Sequence, residues 1–156
     1  MSSSTIGFSI HQIGTVSTTS GFSLTVAEPF RQGLAGLDEF SHAVVLWVAH
    51  ETEEGSLVLD APYVRGPENI GVFATRSASR PNRLGVSVAP LTRVDPATGV
   101  VEFGWIDAVD NTPVVDLKPY FPSSDRVAEA ATPQWCSHWP QNLEASATFD
   151  WESVFN

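Results

Sequence analysis

The sequence predicts a mainly β protein: a small single-domain β-barrel with minor helices and an aromatic-rich C-terminal tail. Three observations carry this expectation. Apolar and polar residues alternate over several short stretches, 11 Gly and 11 Pro recur at short intervals, and no long segment keeps a helical period. Alternation puts every second side chain on one face of a strand, so each such stretch has one face to bury. Gly and Pro between the stretches supply the backbone angles of tight turns.

Taken in order, Phe8 and Ile10 alternate with polar neighbours and open the series, and Phe22, Leu24 and Val26 repeat the pattern. Residues 43–49 (AVVLWVA) form a continuous apolar run, expected as a strand buried on both faces. Val101, Phe103 and Trp105 alternate around Glu102 and Gly104. Short helices are expected within 29–37 and 127–131. The run Asp110, Asn111, Thr112, Pro113 is a turn signal, with Asn111 suited to a left-handed conformation. From 127 onward the chain carries Glu129, Glu144, Asp150 and Glu152 with no Lys or Arg, yet also Trp135, Trp139, Phe149, Trp151 and Phe155. Rings of that size bury large apolar areas, so the tail is expected to dock on the barrel or on a partner chain. The chain therefore divides into a barrel domain, 6–126, and a tail, 127–156.

Composition removes several classes of protein. In 156 residues, 42% are apolar and 17% charged, which disfavours disorder because such a chain can offset its ordering entropy. No apolar run approaches the roughly 18 residues of a membrane span, and residues 1–5 lack the basic start of a secretory signal. The single cysteine, Cys136, forbids an internal disulfide and suits a reducing, cytoplasmic setting. Eight Lys and Arg against 18 Asp and Glu give a formal charge of −10, which works against general nucleic-acid binding through phosphates.

Among the motifs, several are missing. No G-x-G occurs, so no dinucleotide fingerprint is present. Residues 85–89 fail the nucleophile-elbow pattern at the last position. His50 and Glu51 start like a zinc-protease helix without its second His. Cys136-x-His138 lacks a partner pair, so no metal site is expected. Three stretches remain. Residues 71–87 hold Arg76, Arg80 and Arg83 with no acid between them, either a rigid loop offering forked donors to a carboxylate or phosphate, or a solvated basic loop. Residues 105–122 hold Asp107, Asp110, Asp116 and the only lysine, Lys118; the aspartates either cap turns or hold a ribose, an amine or a cation. Residues 37–51 hold His42 and His50, about 26 Å apart on a straight strand, too far for one metal.

DEFSHAVVLWVAH, GVFATRSASRPN and IDAVDNTPVVDLKPY, in this order, resemble the TsaA-like family, which includes the S-adenosylmethionine-dependent methyltransferases acting on threonylcarbamoyladenosine in tRNA. The resemblance covers about 11–124. It implies a small barrel that binds S-adenosylmethionine without a Rossmann sheet, a homodimer, and transfer of a methyl group to tRNA. Its alternatives are a small-molecule methyl acceptor in a biosynthetic pathway, or a non-catalytic cofactor-binding barrel. By position, it implies cofactor contacts at His50, Glu51, Arg76, Val86, Asp107, Ala108, Val109 and Asp110. It implies substrate contacts at Arg80, Asn82, Arg83, Lys118 and Tyr120. No catalytic residue is assigned. Arg83 and Ala78 stand where the family has prolines, and Asn111 where it has glycine. The family's Pro-Arg-Gln segment has no counterpart within 16–39; Phe30, Arg31 and Gln32 look similar but fall out of place.

Overall fold

The protein's structure, a computed structural model, describes residues 7–156. Residues 1–5, read above for a leader, and residue 6, which opens the barrel domain, lie outside the described residues. The strands are β1 (Gly14–Ser17), β2 (Phe22–Val26), β3 (His42–Val48), β4 (Val58–Asp60), β5 (Asn69–Gly71), β6 (Leu84–Asp95), β7 (Val100–Phe103) and β8 (Pro113–Pro119). Six of them close into a barrel in the order β1-β2-β7-β6-β3-β8, with every pairing antiparallel. Closure removes the open edges that a sheet of this size would otherwise expose.

The period of two explains which residues face inward. Along β6, Ser87 and Ala89 are buried whereas Leu84 and Val86 are exposed. This 12-residue strand serves two neighbours: its first half pairs with β3 and, past a register shift between Leu91 and Arg93, its second half pairs with β7. Such a bulge bends the strand enough to turn a sheet into a barrel. Val16, Leu24, Val26, Val45, Val101, Phe103 and Val114 fill the interior, and Leu34 and Leu37 join them from two 3-10 helices, Glu28–Leu34 and Leu37–Glu39. Each fully buried aliphatic side chain of this kind contributes about 1.5–3 kcal/mol.

Four expectations need correction. β3 is not buried on both faces: Ala43 and Val45 are buried, but Val44, Leu46 and Val48 are only half-buried. A strand in a closed barrel has one interior face, and among the described residues nothing lays a second layer over this one. Phe8 and Ile10 are 87% and 59% exposed and belong to no strand, because pairing of β1 with its neighbours starts at Gly14. β7 ends at Phe103, and Trp105 is exposed on the segment after it. Residues 127–131 form no helix; they bury no apolar stripe that would hold one, and the short α1 (Pro122–Asp125) precedes them. Asn111 does take the left-handed conformation, at φ 62°.

β4 and β5 form a separate two-stranded arm. The end of the tail pairs with the loop between them: Tyr63 bridges Phe155, the Val64 amide donates to the Val154 carbonyl (3.0 Å), and the Asn156 amide donates to the Pro62 carbonyl (3.2 Å). Tyr63 stacks on Trp135 with centroids 4.9 Å apart, and Trp139 meets both rings edge-on. Trp151 and Phe149 extend the cluster, and α2 (Leu143–Ser146), capped by the Asn142 side chain, spans the loop between Trp139 and Phe149.

Candidate functional site

Antiparallel closure decides which loops meet. Val48 pairs with Leu84, Trp47 with Val114, and Thr15 with Pro113. The end of β3, the start of β6, the start of β8 and the β1–β2 turn therefore share one end of the barrel. His50 and Glu51 follow β3 there, and Arg83 precedes β6. The Ala49 amide donates to the Arg83 carbonyl (2.9 Å), the Arg83 guanidinium donates to the Thr52 carbonyl, and the Ser79 hydroxyl donates to the Glu53 carbonyl (2.8 Å). Two loops far apart in sequence are thereby stitched together.

The three arginines of this loop divide in their roles. Arg80 donates to the carbonyls of Thr75 (3.0 Å) and Ser77 (3.3 Å), closing its own loop. Arg83 is spent on Thr52 and adopts φ 45°, a conformation unusual for a non-glycine residue. Arg76 is exposed and, among the described residues, its side chain makes no hydrogen bond or ion pair. Its forked donors are the ones free for a ligand. Asn82 is exposed at the turn that the Arg83 amide closes onto the Arg80 carbonyl (3.1 Å).

Segment 104–112 completes this end. The Trp47 indole donates to the Ser87 hydroxyl (2.9 Å), which in turn donates a long bond to the Asp107 carbonyl (3.5 Å). Gly85 lies opposite Trp47, where any Cβ would overlap the indole. The Asp110 carboxylate accepts from the Thr18 amide (2.8 Å) and from the Asn111 side chain (3.0 Å), pinning the segment to the β1–β2 turn. Asp107 is exposed, and among the described residues its carboxylate has no such partner. Ala108 packs toward the core, while Val109 is exposed at 54% and Val86 at 44%. The His50 ring nitrogen stands 3.9 Å from the Glu51 carboxylate, a loose pairing.

Lys118 and Tyr120 lie elsewhere. Lys118 pairs with Val44, and the Tyr120 amide donates to the His42 carbonyl (3.0 Å). Both belong to the opposite end of β3, about 20 Å from His50 at strand rise. The Asp116 carboxylate, 2.6 Å from the Lys118 ammonium, hydrogen-bonds to it and raises its pKa above the usual lysine value. Arg31 is also at that far end, donating to the Val26 and Ala97 carbonyls (3.2 and 3.5 Å). A cavity of 440 Å³ opens there too, lined by Ile13, Phe30, Leu34, Leu37 and Leu117. The loops carrying Arg76 and Asp107 do not line it. A second cavity, 300 Å³, lies between Tyr63 and the tail.

Sequence reasoning passed over Trp47, Ser87 and Tyr63. An indole N–H within an apolar run needs an acceptor, so Ser87, facing inward on the neighbouring strand, was a readable signal. Nothing marks Tyr63. Burial is the main cause that pushes its hydroxyl above the usual tyrosine range, opposed by hydrogen bonds from the Arg76 backbone and the Thr75 side chain. Tyr63 thus joins the tail's aromatic cluster to the loop of Arg76.

A closed antiparallel barrel with its distinctive loops collected at one end and, among the described residues, no parallel βα layer defines a class of small barrel domain quite unlike the doubly wound nucleotide-binding folds. The chain belongs to the family of the tRNA-methyltransferase O N-terminal domain, whose model matches residues 6–126. It is 39% identical over 126 residues to the tRNA (adenine(37)-N6)-methyltransferase of Escherichia coli, covering 77% of this chain and 53% of that one. It is 38% identical over 96 residues to a probable S-adenosyl-L-methionine-binding protein of Pyrococcus abyssi, covering 62% and 50%. Crystalline TrmO from Pseudomonas aeruginosa superposes with a TM-score of 0.66 at 28% identity, over 83% of this chain and 62% of that one. The chain spans about half the length of these two curated relatives.

Proposed function

We propose that the protein is an S-adenosylmethionine-dependent methyltransferase acting on tRNA, with the N6 of adenosine 37 as acceptor. The observation that carries this reading is a family match together with an exposed Arg76 on the loop that leads into β6 and exposed Asp107, Val86 and Val109 at the barrel end where that loop arrives, the two charged side chains having no hydrogen-bond or ion-pair partner among the described residues. The donor set fits the cofactor chemically. A free guanidinium suits the methionine carboxylate, a free carboxylate suits ribose hydroxyls or the α-amino group, and apolar side chains suit the adenine face. When bound, the cofactor supplies a methyl group already activated on a sulfonium. The residues of this chain then hold and orient. Arg76 and Asp107 fix the two polar ends, and Glu51 adds negative charge for the cation beside His50. Ala108 and Asp110 hold the wall in place, through the core and through Thr18. Arg80 and Arg83 shape the loop that presents Asn82, so their influence on the acceptor comes through its position. Lys118 and Tyr120 stand apart from this constellation within one chain.

Thermal denaturation tests the pocket. Saturating S-adenosylmethionine is expected to raise the Tm, and Arg76→Ala to abolish the shift. Mass spectrometry of tRNA after incubation with methyl-labelled cofactor tests the reaction. No shift in the unsubstituted protein sinks the reading.

The same reading includes a barrel domain over 6–126 with the 127–156 tail docked on it, a homodimer, and a cytoplasmic setting. Exposed Leu84 on the outer face of β6 supports a covered surface there, and the buried lone thiol of Cys136 agrees with a reducing compartment. Light scattering after gel filtration reads the assembly; a monomer at micromolar concentration refutes it.

A further inference from the structure

The cavity between the arm and the tail is walled by Tyr63, Trp135, Trp139 and Phe149, with Arg65 and His138 also lining it, at 300 Å³. That volume lies at the lower end of the range of small-ligand sites. Its composition runs against its surroundings. The tail carries four acids and no Lys or Arg, yet no acid lines the cavity, and Asp150 and Glu152, which lie between the lining residues Phe149 and Ser153, are absent from its walls. Four aromatic rings with two groups able to carry positive charge match a flat ring system that bears an anion. Most of the walls come from residues outside the 6–126 family match, so this site is a feature of the tail. It is joined to the loop of Arg76 through Tyr63, whose ring forms part of the cavity wall and whose hydroxyl is influenced by the Arg76 backbone and the Thr75 side chain.

We propose that this aromatic cavity binds one nucleotide of the substrate RNA next to the methylated one, with the base among the rings and its phosphate on Arg65 and His138. The proposal rests on the tRNA reading above. Base–aromatic contact tolerates any base, because every base has a π face, so the cavity contributes affinity and register rather than sequence choice. The tail thereby supplies an RNA contact on an otherwise acidic protein.

The test uses the full chain and a 17-nucleotide anticodon stem-loop RNA, with binding read by fluorescence anisotropy and cofactor binding read separately by the thermal shift. Arg65→Glu, at an exposed position, and Trp139→Ala are each expected to weaken RNA binding about tenfold or more, in line with the loss of a phosphate or stacking contact. Both should keep the cofactor-induced shift. Unchanged RNA affinity in Arg65→Glu overturns the proposal even if Trp139→Ala fails to fold, as does an unsubstituted protein that binds cofactor but no RNA. If the unsubstituted protein shows no cofactor shift while both variants still lose RNA binding, the cavity stands and the methyltransferase reading falls.

Discussion

At the scale of single residues, the site depends on side chains whose partners lie dozens of positions away. Gly85 is the clearest case. A methyl group there would drive into the Trp47 indole, so Gly85→Ala is expected to cost about 1–3 kcal/mol through overpacking. Urea denaturation should show a lower midpoint, and an unchanged midpoint would mean that Trp47 is not held against this strand. Tyr63 provides a pH test. Burial raises its hydroxyl above 10.0, so folding favours the protonated phenol. The corresponding stability is complete below pH 10, the unfolded value, and is lost as pH rises through the higher folded value. In Tyr120→Phe, which leaves Tyr63 as the only tyrosine, ultraviolet absorbance should report phenol ionisation above pH 10. Ionisation at the ordinary value would show an open ring. The stretch 71–87 made the three arginines legible, but their division was not. Arg80 and Arg83 turn inward because backbone carbonyls of their own and the neighbouring loop lie within reach, and only folding puts Thr52 beside Arg83.

At the scale of elements, strands were more legible than the segments between them. The alternation of Phe22, Leu24 and Val26 becomes β2, and the apolar run becomes β3 with its ends nearly as read. Phe8 and Ile10 fail for a reason no local pattern contains: alternation makes a strand only where a neighbour offers hydrogen bonds. The tail was legible as aromatic and not as to its seat, since the arm that receives it has just three residues in each strand. Removing 127–156 should bare the Tyr63 ring. The expected result is a lower Tm and a Tyr63 ionisation shifted back toward 10.0, read by the same ultraviolet titration. A truncated chain with both properties unchanged would contradict a supporting role for the tail.

At the scale of the whole molecule, the charge of −10 sets how RNA can be held. Residues 76–93 contain four arginines and no acid, but Arg93 is paired with Asp95 and Glu102 on the far half of β6, at 3.2 Å each. Of the other three, Arg76 is assigned to the cofactor and Arg80 and Arg83 are bonded to loop carbonyls, which leaves Arg65 and His138 at the tail cavity as the phosphate contacts argued above. With about 0.7–0.9 counterions released per phosphate contact, the slope of log affinity against log salt should be about −2 or shallower for one chain. A slope twice as steep would require cations from a second copy.

What the sequence by itself determined was the kind of protein. Strand periodicity, the absence of a G-x-G turn and the three ordered motifs needed nothing but local chemistry and family resemblance. Only the tertiary structure decided which of those residues act together. Closing the barrel in the order β1-β2-β7-β6-β3-β8 puts His50, Arg83 and Asp107 at one end and Lys118 and Tyr120 at the other. It also leaves Arg76 and Asp107 without side-chain partners among the described residues, while Asp110 is spent on Thr18. The reason is physical: a side chain's availability is fixed by what surrounds it after closure, and neither strand register nor the docking of the tail on Tyr63 is written in any short stretch of chain.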